Sequence, residues 1–294
     1  TRQKTPSNLR IEPISLCSTA HPPAVRRKRR ELMPEVQSQG IRISYDDQGR
    51  GEPVLLFMPG WCGSRKVFDE LARRCATRRR TLALDWRGHG QSAQPADDFG
   101  IGDLANDALA VIEASQAGRV VPVALSHAGW VAIELRRRLA ARIPKLVLLD
   151  WIVLEAPPPF LGALQSLQDP AQFEQTRQQL FSMWLQGLDI PALTQYVRED
   201  MGSYPFEMWA RAGREISTAY AKAGSPLQAL ASLDPSVPVL HLYAQPDDPG
   251  YLAAQRLFTA EHSWFQASKL EARSHFPMYE VPDEMAMAIE RFVA

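Results

Sequence analysis

The stretch Val121-Pro-Val-Ala-Leu-Ser-His-Ala-Gly-Trp130 decides the fold. An apolar, β-branched run ends at Ser126, and a helix-like segment begins at once with Ala128, Gly129 and Trp130. Small residues stand two positions before the serine (Ala124) and two and three after it (Ala128, Gly129). The pattern is a relaxed G-x-S-x-G turn, in which a sharp passage from strand to helix lifts a serine hydroxyl above a sheet. Small neighbours are needed because such a turn brings two backbones close together. The helix N-terminus behind the serine offers free N–H groups and a partial positive charge, which suits an anion. Taken alone, the motif fits equally well an ordinary strand-to-helix turn that happens to hold a serine.

Working outward, Val36–Asp46 alternates and Pro53–Met58 runs apolar, with Asp47-Gln-Gly-Arg-Gly-Glu52 between them. This predicts a hairpin-like pair leading into a buried strand. The strand stops at Pro59-Gly-Trp-Cys-Gly-Ser64, where the Trp61 backbone is a candidate oxyanion donor. Thr81–Leu84 predicts the next strand, ending in Asp85-Trp-Arg-Gly-His-Gly-Gln-Ser92. The glycines and capping residues of that string shape a loop, so His89 reads as structural. Asp103–Ala117 predicts an amphipathic helix with Leu104, Ala108, Val111 and Ile112 on one face. A helix running to Arg142 and a strand at Lys145–Leu149, ending on Asp150, follow the serine turn. Alternating strand and helix predicts an α/β fold with a doubly wound, mostly parallel sheet. Ligands of such sheets lie beyond the carboxyl ends of the strands, where Trp61, Ser126 and Asp150 fall.

From Trp151 to about Ala231 no buried strand is predicted. Helical patterns rich in Leu, Gln and aromatics, opened by Pro157-Pro-Pro159, suggest an inserted α-helical cap at 155–231, between core segments 33–154 and 232–294. Strands are predicted again at Val237–Tyr243 and Trp264–Leu270, with a final helix at Pro282–Phe292.

At 294 residues the chain can bury a large core. Its 33 Lys and Arg balance its 33 Asp and Glu, so nothing electrostatic favours nucleic acid or a membrane surface. No stretch approaches the roughly 20 apolar residues that span a bilayer. Cys17, Cys62 and Cys75 lack metal-ligand spacing and cannot all pair, which points to reduced thiols and a cytoplasmic location. Thr1–Leu32 is rich in Pro, Ser, Thr and Arg, carries the run Arg26-Arg-Lys-Arg-Arg30 and lacks the apolar core of a secretory signal. Composition predicts a disordered extension there, with Met33 as a natural start. A localisation or nucleic-acid role for the basic run is the weaker reading.

The order Ser126, acid, His275 is that of α/β hydrolases, with the histidine in a loop after the last strand. The acid is open on this reading. Asp150 ends the strand after the serine helix, whereas Asp247 or Asp248 stands one strand later, and any of them could orient the imidazole.

Several strings together resemble the cofactor-independent 3-hydroxy-4-quinolone 2,4-dioxygenases. They are Pro59-Gly-Trp-Cys62, Asp85-Trp-Arg-Gly-His-Gly90, Ser126-His-Ala-Gly-Trp130, Asp150-Trp151, Met183-Trp-Leu-Gln-Gly187 and His275-Phe-Pro277. The resemblance runs from Gly40 to Ala294 and selects Asp150 as the acid. It implies a His275–Asp150 dyad that removes the substrate's 3-hydroxyl proton, with Ser126 orienting the substrate. The anion then reacts with O2 without metal or flavin, giving carbon monoxide and an N-acylanthranilate. It further implies that Trp61, His127, Trp184, Gly63 and Leu125 are oxyanion or substrate-binding residues, with Trp61 and Trp184 as flat walls. Trp86, Trp130, Trp209 and Trp264 read as core packing. Two positions depart from the family pattern, which often has histidine where Leu125 and Gly63 stand. The smaller, more apolar pair would suit a longer 2-alkyl substituent. The expected partners are a small aromatic substrate and O2, with no cofactor, no metal, no nucleic acid and no membrane, in a monomer or homodimer. The competing expectation is a serine esterase or amide hydrolase using a Ser126-His275-Asp150 triad, since a fold does not fix a function.

Overall fold

The structure is a computed structural model and describes residues 1–3 and 34–294. The expectations for the N-terminal extension, its basic run and Cys17 lie outside the described residues. The elements in order begin with β1 (Glu35–Ser38), β2 (Ile41–Gln48), β3 (Val54–Met58), α1 (Asp69–Cys75), β4 (Thr81–Leu84) and α2 (Ile101–Ala114). Next come β5 (Val120–Leu125), α3 (Ala128–Leu139) and β6 (Leu146–Leu149). Helices alone fill the interval before the next strand: α4 (Pro158–Ser166), α5 (Phe173–Leu185), α6 (Pro191–Gln195), α7 (Phe206–Ala223) and α8 (Pro226–Ala231). The chain closes with β7 (Val239–Tyr243), α9 (Pro249–Glu261), β8 (Phe265–Lys269) and α10 (Pro282–Val293).

Among the described residues the strands form one sheet in the order β1-β2-β4-β3-β5-β6-β7-β8. Strands β3 to β8 pair in parallel, and β1 and β2 are antiparallel additions at one edge. Every residue of β3, β4, β5, β6 and β7 is buried, as expected for strands covered on both faces. Helices pack in pairs over the sheet, α2 with α3 and α1 with α10. The predicted face of α2 is indeed its buried one, with Leu104, Ala108, Val111 and Ile112 at most 2% exposed.

One expectation is corrected. The hairpin is not formed by Val36–Asp46 with Pro53–Met58; it folds inside the first of these runs, β1 against β2. Gln39 and Gly40 both take positive φ, 51° and 82°, which gives the tight turn that a two-residue hairpin needs. β2 then pairs with β4, while β3 lies between β4 and β5. The serine helix is also shorter than predicted, ending at Leu139 before a 3-10 turn to Arg142. The long helix α9 has no counterpart in the sequence reading.

Candidate active site

Register brings the site together. Leu125 pairs with Leu149 and Leu149 with Leu242, so β5, β6 and β7 end level with one another. The Ser126 N–H continues the ladder by donating to the Leu149 carbonyl (2.8 Å), and the Asp150 N–H donates to that of Leu242 (2.8 Å). Serine and aspartate therefore leave adjacent strands side by side. Ser126 and Asp150 both have positive φ, 54° and 42°, and so does Cys62 (56°) in the turn after β3. Non-glycine residues held there cost about 1–3 kcal/mol each, and such strain collects at functional sites. Three of them at the carboxyl ends of β3, β5 and β6 mark one corner of the molecule.

The strained turns touch. A Cβ placed on Gly60 would lie 3.6 Å from the Ser126 Cβ, so the turn after β3 abuts the serine. A Cβ on Gly129 would run into the Trp151 indole, which explains the small residue after the serine. In turns of this type the oxyanion donors are the N–H of the residue after the serine, the position of His127, and one N–H from the turn after β3, the turn that holds Trp61.

Asp150 is 2% exposed, and both of its carboxylate oxygens are engaged. Oδ1 accepts from the Ala244 and Gln245 N–H groups (2.6 and 2.8 Å), at the end of β7. Oδ2 lies 2.6 Å from His275 Nδ1. A carboxylate there accepts a hydrogen bond from Nδ1–H, so the lone pair is on Nε2, free to act as a base. Asp247 and Asp248 are elsewhere: Asp247 pairs with Lys269 (3.1 Å), and Asp248 caps α9 by accepting from the Tyr251 N–H (2.8 Å). The acid left open by the sequence is thus the one that touches the histidine.

The loop carrying His275 is held by a residue the sequence reading missed. Glu280 accepts from the Arg273 N–H (3.0 Å), the Ser274 N–H (2.8 Å) and the Ser274 hydroxyl (2.6 Å). A glutamate five residues after the histidine carries no motif that would reveal this. Trp184, from α5, stacks on the His275 ring, with centroids 5.4 Å apart at 20°. Phe276 stands edge-on to both rings.

His127 is 8% exposed, and its Nδ1 accepts from the Trp151 indole N–H (3.2 Å). Its proton is therefore on Nε2. Burial, helped by the neighbouring His275, pushes its pKa down to about 3, so it is neutral. Phe160 stacks on it (5.6 Å) and Tyr220 meets it edge-on (5.9 Å), two aromatic contacts from α4 and α7 that were not predicted. Trp61 stacks on Phe99 (5.8 Å), while Leu125 is buried in β5. The space beside Gly63 is not open. A Cβ there would lie 2.5 Å from the Tyr196 hydroxyl, so Tyr196 stands where a side chain at position 63 would begin. Trp86, Trp130 and Trp209 are buried, and half-buried Trp264 packs among Phe258, His262 and Phe265.

The Asp85–Ser92 string is scaffold. Asp85 accepts from the Arg65 and Gln91 N–H groups, and Arg87 pairs with buried Asp107 of α2 (2.7 Å). Ser92 bridges Ser44 and Asp85. His89 is 1% exposed, with Nδ1 on the Arg87 carbonyl (2.9 Å) and Nε2 accepting the Cys62 N–H (3.1 Å). Burial lowers its pKa to about 4.

Serine, acid and histidine thus follow one another along a parallel sheet in the order that defines an α/β hydrolase. The α/β hydrolase family model accordingly matches residues 55–288. The 2-heptyl-3-hydroxy-4(1H)-quinolone dioxygenase of Mycobacteroides abscessus is 36% identical over 249 residues, covering 84% of this chain and 93% of that one. The 1H-3-hydroxy-4-oxoquinoline 2,4-dioxygenase of Pseudomonas putida is 35% identical over 263 residues, 89% of this chain and 99% of that one. A solved structure of AqdC, described as recognising and ring-cleaving the Pseudomonas quinolone signal, superposes with a TM-score of 0.85 at 34% identity, over 89% of this chain and 99% of that one. The chain belongs to the α/β-hydrolase family, in its branch of 3-hydroxy-4-quinolone ring-cleaving dioxygenases. Among the described residues no helix is long and apolar enough to cross a membrane.

Proposed function

We propose that this chain is a cofactor-independent dioxygenase that opens the heteroaromatic ring of a 2-alkyl-3-hydroxy-4(1H)-quinolone with O2. The products are carbon monoxide and an N-acylanthranilate. The observation that carries the reading is the 2.6 Å His275–Asp150 hydrogen bond, in a chain whose relatives are hydroxyquinolone dioxygenases. His275 Nε2 takes the proton of the 3-hydroxyl, and Asp150 holds the tautomer and offsets the imidazolium charge. The electron-rich anion reacts with O2 itself. A peroxide then bridges C2 and C4 and collapses, expelling C3 as carbon monoxide.

Ser126 and the N–H groups of Trp61 and His127 hold the developing oxyanion, where fixed donors act most strongly. Trp184, Phe160 and Phe276 give the flat ring an apolar enclosure. The helices at 155–231 serve as a cap over this enclosure. The reading puts the enzyme in a reducing cytoplasm, supported by Cys62 and Cys75, which are buried and unpaired.

The test compares His275→Ala with Ser126→Ala on a hydroxyquinolone. Loss of a proton-abstracting base costs about 10²–10⁴-fold. Loss of one hydrogen bond to a charged group costs about 1.5–3 kcal/mol, roughly one to two orders of magnitude in rate. His275→Ala should be clearly the worse. Equal, near-complete loss in both, with stoichiometric labelling of Ser126 by a phosphonate, would indicate a serine hydrolase instead.

A further inference from the structure

The turn after β3 has no regular structure between Pro59 and Ser64 and contains the strained Cys62. A strained residue persists only when its surroundings over-determine it. One support is His89, which takes the Cys62 N–H. A second comes from the helical segment, through the π-helical turn Tyr196–Asp200, whose wide loop is closed by the Met201 N–H on the Tyr196 carbonyl. Turns of this kind are rare and frequent at functional sites.

Both ends of the π-turn grip the same short stretch. Asp200 Oδ2 accepts from the buried Ser64 hydroxyl (3.1 Å), and Oδ1 accepts from Lys66 (3.1 Å). The Tyr196 hydroxyl donates to the Ser64 carbonyl (3.3 Å) and occupies the space where any side chain at position 63 would begin. Gly63 is therefore what lets the π-turn seat. Lys66 is 61% exposed, so its ion pair contributes little and the Ser64 hydroxyl is the significant half.

We propose that Asp200 is a positioning residue: through Ser64 it pins the Trp61–Ser64 turn, and so holds the Trp61 N–H against the oxyanion beside Ser126. What the turn is for rests on the dioxygenase reading; the grip itself does not. A displacement of about 1 Å in a positioned group can cost on the order of 10²-fold in rate without any contact to substrate being removed.

The test uses Asp200→Ala, Ser64→Ala and the double variant in the full chain. We expect kcat to fall about 10–100-fold with KM nearly unchanged. The double variant should be no worse than either single one, because both remove one interaction. Asp200→Asn, which keeps an acceptor for Ser64, should recover most of kcat. Amide exchange should quicken at residues 61–66 and stay unchanged in β3, β5 and β6. Additive losses, a KM effect with kcat intact, or unchanged exchange at 61–66 would overturn the proposal. A wild-type chain that turns over no hydroxyquinolone would defeat the dioxygenase reading, while the exchange measurement would still decide whether Asp200 holds the turn.

Discussion

At the scale of single residues, the choice among three aspartates is made by hydrogen bonds. Asp150 meets His275 with one oxygen and two backbone N–H groups with the other, so its orientation leaves no freedom. Asp150→Ala should therefore depress kcat strongly, by about 10²-fold or more, since the base loses both its tautomer and its counter-charge. Asp248→Ala should cost about 0.5–2 kcal/mol of stability through the lost helix cap, with kcat preserved. Steady-state rates and thermal midpoints of the two variants separate these outcomes; the reverse ranking would move the acid one strand later. From sequence alone all three were candidates, because strand ends are legible but the direction in which a carboxylate turns is not. Family resemblance supplied the choice. Glu280 and Tyr196 were invisible for the same reason: each acts through contacts with backbone or with a glycine that no spacing rule encodes.

At the scale of elements, the stretch around Ser126 held the most information. A buried β-branched run, a serine and small residues define both the strand and the helix that follows it, and the register then puts Ser126 beside Asp150. Gly129 shows how tight that junction is, since any Cβ collides with Trp151, which also donates to His127. Gly129→Ala should destabilise the fold by at least about 1–3 kcal/mol, the usual cost of overpacking, and should lower activity by moving Asp150's neighbour. Denaturant titration checks this; an unchanged midpoint would mean that α3 is not seated as described. The edge hairpin is hidden in the sequence because its turn, Gln39-Gly40, lies inside an apparently continuous alternating run. Helix α9 is not legible in the sequence because it buries little beyond Tyr251 and Gln255, so its sequence has a weak apolar stripe.

At the scale of the whole molecule, three histidines are folded in as neutral groups. Loss of solvent pushes His89 and His241 down to about 4 and His127 to about 3. An unfolded chain binds their protons below about pH 6.5, whereas the folded chain does not. Stability is thus full above that pH and declines as pH falls towards 4. At pH 5 each histidine costs about 2 kcal/mol. The thermal midpoint should fall steadily between pH 6.5 and 5, above the range in which most carboxylates titrate; a flat profile would contradict the assignment. These histidines tie the scaffold to the site, His89 through Cys62 and His241 through the Trp151 N–H (3.4 Å). The central claim, that the chain adds O2 across a hydroxyquinolone ring, is tested most directly with ¹⁸O2 and a 2-alkyl-3-hydroxy-4-quinolone. A peroxide bridging C2 and C4 predicts one carbon monoxide per O2 consumed, both labelled atoms in the N-acylanthranilate and none in the carbon monoxide. Product labelled from H2¹⁸O, with no O2 uptake and no carbon monoxide, would contradict the account.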